Sequence, residues 1–259
     1  MLIERDTKEL SRYQAFLEAK RAIAPPARED FATYEDKKDG SYDGRWLPYV
    51  ELRQEASMAL PNAINELTRY IHDLRAWDMA TLGVDEDDLF EIAITFVDPL
   101  ATIAMNLPYV IQQRMLYSVA HLCHLANCMK MGSAWVDDLP EERKINGAIC
   151  DKYGNGWMAF PTFRGAVNVL NDGVYQVATE YFRERYTHRL PPRVLWGMHS
   201  MYSREKLPKG AAYGFGGRPA LPLAKVVAAL ECQRNLALVA LEAYRALVDE
   251  HMALIQLKP

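Results

Sequence analysis

Asn62-Ala63-Ile64-Asn65-Glu66-Leu67-Thr68-Arg69-Tyr70-Ile71-His72-Asp73-Leu74 places Ile64, Leu67, Ile71 and Leu74 at intervals of three, four and three. An α-helix turns once every 3.6 residues, so these four side chains line one face of it. The stripe predicts a long helix over about 52–76, with Pro61 as the point where it kinks or divides. Upstream, Leu10, Tyr13, Phe16, Leu17 and Ala24 recur near the same period and predict a helix over 6–23, stopped by Pro25 and Pro26. Between the two, residues 27–48 carry Asp36-Lys37-Lys38-Asp39-Gly40 and Asp43-Gly44. They read as a polar, turn-rich connection with room for a short hairpin.

Downstream the pattern continues. The acidic run Asp85-Glu86-Asp87-Asp88 opens a helix near 86–104, where its charge suits the positive end of the helix dipole; a solvated helix start explains it better than a metal site does. Asn106 as cap and Pro108 in the first turn predict a third long helix to about Met131, closed by Gly132. Residues 133–160 read as a long connection rich in Gly, Asp and Trp. A fourth helix is expected over 163–189, stopping before Pro191-Pro192. The last covers about 222–255 with Val226, Val227, Leu230, Leu236, Leu238, Leu241, Leu247 and Val248. No alternating strand pattern and no internal repeat stands out. The expected class is therefore all-α: a helical bundle of four or five long helices (residues 51–259) behind an N-terminal helix and polar connection (residues 1–50).

Half of the 259 residues are hydrophobic and a quarter are charged, an ordinary globular composition with enough apolar mass for a sizeable core. The net charge of −4 supplies no global field to attract nucleic acid, so a nucleic-acid substrate requires a local basic cleft. Cys123, Cys128, Cys150 and Cys232 form no C-x-x-C pair, which argues against zinc and redox dithiols and for reduced thiols. The opening MLIERDTKEL lacks the apolar core of a secretion signal, and no unbroken stretch reaches the roughly 18 apolar residues of a membrane span. The expectation is one soluble, cytoplasmic domain without a membrane contact.

Three stretches invite chemistry. Tyr213-Gly214-Phe215-Gly216-Gly217-Arg218, inside the Gly-rich segment 209–222, matches neither a Walker loop nor G-x-G-x-x-G after a strand. It reads as a flexible connection, with a flap over a site as the minor alternative. Arg114, Tyr117, His121 and His124 fall on one face of the third helix. No Glu-x-x-His partner set accompanies the two histidines, so a hydrogen-bonded polar layer, inside the bundle or at a dimer interface, is favoured over metal binding; a phosphate-binding cleft is a third option. The last stretch is Tyr181-Phe182-Arg183-Glu184-Arg185-Tyr186-Thr187-His188-Arg189-Leu190-Pro191-Pro192.

That stretch resembles the R-x(4–6)-H signature of HEPN domains (higher eukaryote and prokaryote nucleotide-binding). These are small helical bundles, many of them metal-independent ribonucleases of toxin–antitoxin and phage-defence systems. Arg183 and His188 fall on the signature, with Glu184 where the family often has Asn, Asp or His. Three other pairs share the spacing: Arg114–His121, Arg193–His199 and Arg245–His251. Only Arg183–His188 closes an amphipathic helix and continues as His-Arg-Leu. The resemblance implies RNA cleavage by the substrate's own 2′-hydroxyl, with no cofactor and no metal. His188 would be the general acid–base and Arg183 the phosphate clamp. Arg185, Tyr186 and Arg189 would hold or stack flanking nucleotides. It also implies a homodimer whose two motifs share one cleft, held inactive by an inhibitory protein partner. The competing reading is a non-catalytic helical interaction or nucleotide-binding module. In that reading Arg183, Arg185 and Arg189 complement the helix dipole and His188 caps the last carbonyls.

Overall fold

The computed structural model describes residues 2–35 and 44–256; the acidic-basic run 36–40 and Asp43 lie outside the described residues. Three helices of 34 residues dominate: α2 (Leu47–Ala80), α4 (Asp98–Met131) and α9 (Leu223–Gln256). A 21-residue α1 (Leu2–Ala22) precedes them, and α3 (Glu86–Ile92) leads into α4. Shorter helices follow: α5 (Gly147–Gly154), α6 (Phe160–Asn168), α7 (Gly173–Ala178) and α8 (Phe182–His188). The class is all-α, as the periodicity predicts. Ile64, Leu67, Ile71 and Leu74 are each at most 1% exposed, so the stripe that defines α2 is core. Pro61 is accommodated inside that helix.

The chain forms two compact units. One comprises residues 1–27, 67–106 and 173–232; the other comprises 28–66, 107–172 and 233–259. In the first, Phe16, Trp77 and Phe96 stack in series, with ring centroids 4.6 and 4.9 Å apart. Ion pairs Arg12–Asp88 and Lys20–Asp73 flank that stack. In the second, His251 is fully buried. Its Nδ1 lies 3.0 Å from the Tyr49 hydroxyl and its Nε2 lies 3.6 Å from Cys123 Sγ, so each ring nitrogen has a partner whichever tautomer is present.

Four local expectations change. The helices predicted at 86–104 and 106–131 are one helical run. Pro99 has no N–H to continue the ladder, and the chain passes it through a π turn, Ala93–Val97, in which the Asp98 N–H reaches back to the Ala93 carbonyl. Asn106 is therefore inside α4 rather than its cap, and its side chain donates to the Thr102 carbonyl at 2.7 Å. The helix predicted over 163–189 is three short ones. Gln112 of α4 takes the Val167 and Leu170 carbonyls at 3.1 and 2.7 Å, which ends α6, and Asn171 turns the chain with φ 51°. Glu180 and Tyr181, at φ 52° and 56°, separate α7 from α8. The connection 133–160 contains α5, capped by Asn146, which accepts from the Ala148 and Ile149 N–H groups.

The Gly-rich segment is the fourth change. It carries two short strands instead of a loop: β3 (Ala211–Phe215) pairs antiparallel with β2 (Tyr202–Lys206), and β4 (Arg218–Pro219) pairs with β1 (Met198–His199). The helical run Glu86–Ala134 is long and apolar enough to cross a membrane by length and composition, with a mean hydropathy of 1.4 over its best 18-residue window, 39% of which is buried. Core helices of soluble proteins pass the same test. Unbroken apolar runs, the basis of the sequence reading, do not register such a window.

Candidate nucleic-acid interface

α8 owes its shortness to its ends. Tyr181 enters it in the left-handed conformation, and beyond the last turn Arg189 and Pro191-Pro192 lead the chain away. Phe182 is the buried anchor, and Tyr186 stacks on it one turn later at 5.8 Å. Arg183 and His188 are five residues apart, about 140° around the helix, so their side chains leave on different faces. Arg189 pairs with Glu184 at 3.0 Å, which neutralises the carboxylate beside Arg183. Arg185 is committed within the protein. It donates to the Leu190 carbonyl at 3.1 Å and to Ser200 Oγ at 2.7 Å.

Accessibility separates the histidines. Of the six, His72, His124, His199 and His251 are buried, His121 is half-buried and His188 alone is exposed. A side chain that exchanges protons with a macromolecular substrate must be reachable, so the other spacing matches weaken. His251 of the Arg245 pair is sealed in the core, and Arg245 is held by Glu35 at 3.2 Å. His199 of the Arg193 pair is buried, and Arg193 faces Asp98 at 3.5 Å.

The rival stripe on α4 grades from surface to core. Arg114 is exposed, the Tyr117 hydroxyl donates to Glu142 at 3.2 Å, and the His121 ring packs on Tyr117 at 4.5 Å. His124 is buried with its Nε2 3.0 Å from Asp137. Burial holds the His121 imidazole below its ordinary value, opposed by Glu142. These contacts make the stripe a polar layer of its own unit. Among the described residues, no three His, Cys, Asp or Glu side chains come together to hold a metal.

The sequence reading missed a node beside α8. Glu180 Oε2 lies 3.5 Å from Arg218 Nη1, 3.7 Å from His199 Nε2 and 3.9 Å from Arg185 Nη1. His199 Nδ1 is 3.1 Å from Ser200 Oγ, while its Nε2 is buried without a hydrogen-bond partner. Burial lowers the His199 pKa, against the pull of Glu180. Glu180, Tyr181, Leu195 and Ser200 all have φ between 52° and 65°, a conformation costly for side chains of their size. No spacing rule joins positions 180, 185, 199 and 218; tertiary folding brings them together.

Around this node the charge is strongly local. With Glu180 included, residues 180–218 hold eight Lys and Arg against three Glu in a chain whose net charge is −4, and Arg185, Arg189, Arg193 and Arg218 among them pair with carboxylates. Exposed aromatic side chains are interleaved with the cations: Tyr181, Tyr186, Tyr202, Tyr213 and Phe215. No family profile, no curated protein and no solved structure matches this chain.

Proposed function

We propose that this chain is an RNA-binding helical protein whose contact surface is the segment 181–218. The observation that carries the reading is the concentration of five exposed aromatics and eight cations, four of which also pair with carboxylates, in that segment of an otherwise acidic chain. Cations neutralise phosphates, and aromatic faces accept unstacked bases. Fluorescence anisotropy with a labelled single-stranded RNA tests it. The joint substitution of Arg183 and Arg189 by Ala should weaken binding by about ten-fold or more, since each lost phosphate contact removes a counterion-release contribution. Wild-type protein that binds no RNA at low salt ends the proposal.

A second reading, metal-independent cleavage, is favoured by the exposure of His188 within the same surface. The substrate 2′-hydroxyl would attack the adjacent phosphorus and the bond to the 5′-oxygen would break, leaving a 2′,3′-cyclic phosphate and a free 5′-hydroxyl. His188 moves the proton, and Arg183 steadies the charge on the phosphoryl oxygens. Because the two side chains diverge on α8, this reading calls for a homodimer in which one copy's Arg183 serves beside the other's His188. His188→Ala should lower the cleavage rate roughly 10²–10⁴-fold, and cutting should persist in chelator. Mixing the Arg183→Ala and His188→Ala proteins should restore part of the activity. RNA that is bound but never cut leaves the non-catalytic module.

A further inference from the structure

The β2–β3 hairpin has two unlike faces, and its register assigns every side chain to one of them. Residues directly opposite in an antiparallel pair point to the same side of the sheet, and successive residues alternate. Tyr202 pairs with Phe215, Arg204 with Tyr213 and Lys206 with Ala211, which gives one face three aromatic rings and two cations. Ser203 pairs with Gly214 and Glu205 with Ala212, which makes the other face small and acidic. The Arg204 Nε–H donates to the Tyr213 hydroxyl at 3.2 Å, so the guanidinium lies on the aromatic face as the register requires. A Cβ at Gly214 would come within 2.8 Å of Ser203 Oγ, so the serine side chain would have to turn aside for a larger residue there.

The aromatic rings are not the hairpin's own core. Tyr202 is 64% exposed, Tyr213 59% and Phe215 90%, and every residue of β2 is exposed. An isolated two-stranded hairpin is marginal in water, and one that leaves three rings to solvent forgoes the burial that would steady it. Whatever covers this face must accept flat rings and positive charge together, because Arg204 and Lys206 flank the rings and Lys209 stands in the turn Leu207–Gly210.

We infer that this face, carrying Tyr202, Arg204, Lys206, Tyr213 and Phe215, is a stacking platform for the bases of single-stranded RNA. The proposal rests on the RNA reading above and gives it a specific contact. Rings two residues apart on a strand are about 6.8 Å apart, roughly twice the spacing of about 3.4 Å between stacked bases of a duplex strand. Bases resting on Tyr213 and Phe215 are therefore splayed apart, which a single strand permits and a duplex does not. The cations reach the backbone between them.

The test uses the full chain and a short fluorescein-labelled oligouridylate, free and annealed to its complement. Phe215→Ser and Tyr213→Ser should each weaken binding of the free strand about ten-fold, within the range that stacking of one base provides. Phe215→Trp should keep the affinity and add an emission that the RNA quenches. Glu205→Gln, on the back face, should bind no more weakly than wild type, and the annealed duplex should bind more weakly than the free strand. If both Ser variants bind like wild type while Arg183→Ala/Arg189→Ala binds poorly, the platform is overturned and the RNA reading stands; the exposed rings then belong to a protein contact. If wild type binds no RNA, both fall. If Phe215→Trp loses affinity as Phe215→Ser does, stacking on a ring is not what that position provides, and the platform is again overturned.

Discussion

His251 shows what one buried residue dictates. Its imidazole is enclosed between the Tyr49 hydroxyl, the Cys123 thiol and the edge of Trp157, whose ring centroid is 4.1 Å away. Burial pushes its pKa down to about 3, and Lys130 adds to the shift. The folded state therefore keeps it neutral, whereas the unfolded chain takes up a proton near pH 6.5. Between those values the unfolded state holds more protons, so its contribution to stability is intact above about pH 6.5 and lost as pH falls toward about 3. The loss approaches about 1.4 kcal/mol per pH unit for one such group. Burial lowers His72, His121 and His199 in the same direction. Urea denaturation repeated from neutral to mildly acid pH should show this decline. His251→Gln, although less stable throughout, should show a shallower one; an equal slope in the variant would place the acid sensitivity elsewhere.

Among the elements, α5 and α6 depend on a close approach. A methyl group at Gly154, the end of α5, would overlap the buried Phe160 ring at the start of α6. Gly154→Ala should therefore destabilise the fold by about 1–3 kcal/mol, the usual cost of overpacking, in a thermal or urea melt; an unchanged midpoint would mean the Phe160 ring yields freely. The same region shows how far the sequence is legible. Stripes such as Ile64-Leu67-Ile71-Leu74 announce their helices because periodicity is local information. The segment after Phe163 keeps apolar residues at Val167 and Leu170 in helical spacing, yet its ends are set from afar: Glu250 takes the Met158 and Ala159 N–H groups at 2.9 Å, and Gln112 takes the carbonyls at the other end. Only Asn171-Asp172-Gly173, a turn sequence, marks the break locally. The hairpin was readable too. Tyr202-x-Arg204-x-Lys206 and Ala211-x-Tyr213-x-Phe215 alternate on either side of Leu207-Pro208-Lys209-Gly210, but the glycines around 214–217 suggest a loop instead. Around α8 the motif residues could be named from sequence. That His188 is exposed, that Arg185 is held by Ser200, and that Glu180 meets His199 and Arg218 depend on folding.

Across the full chain, charge is distributed unevenly. A chain of net charge −4 should repel RNA on average, and the segment 181–218, with eight cations against two Glu of its own, is where that is reversed locally. Binding that depends on this segment must release counterions from the RNA, and its dependence on salt counts the phosphates involved. The most direct measurement is the affinity of the full chain for a single-stranded RNA across a salt series, with Lys206→Glu/Lys209→Glu alongside. Log affinity should fall linearly with log salt, with a slope of about −0.7 per phosphate contacted, and the slope should be shallower by about 1.4 in the variant, which loses two such contacts. Binding that ignores salt, a variant slope equal to that of wild type, or no binding at low salt would contradict this.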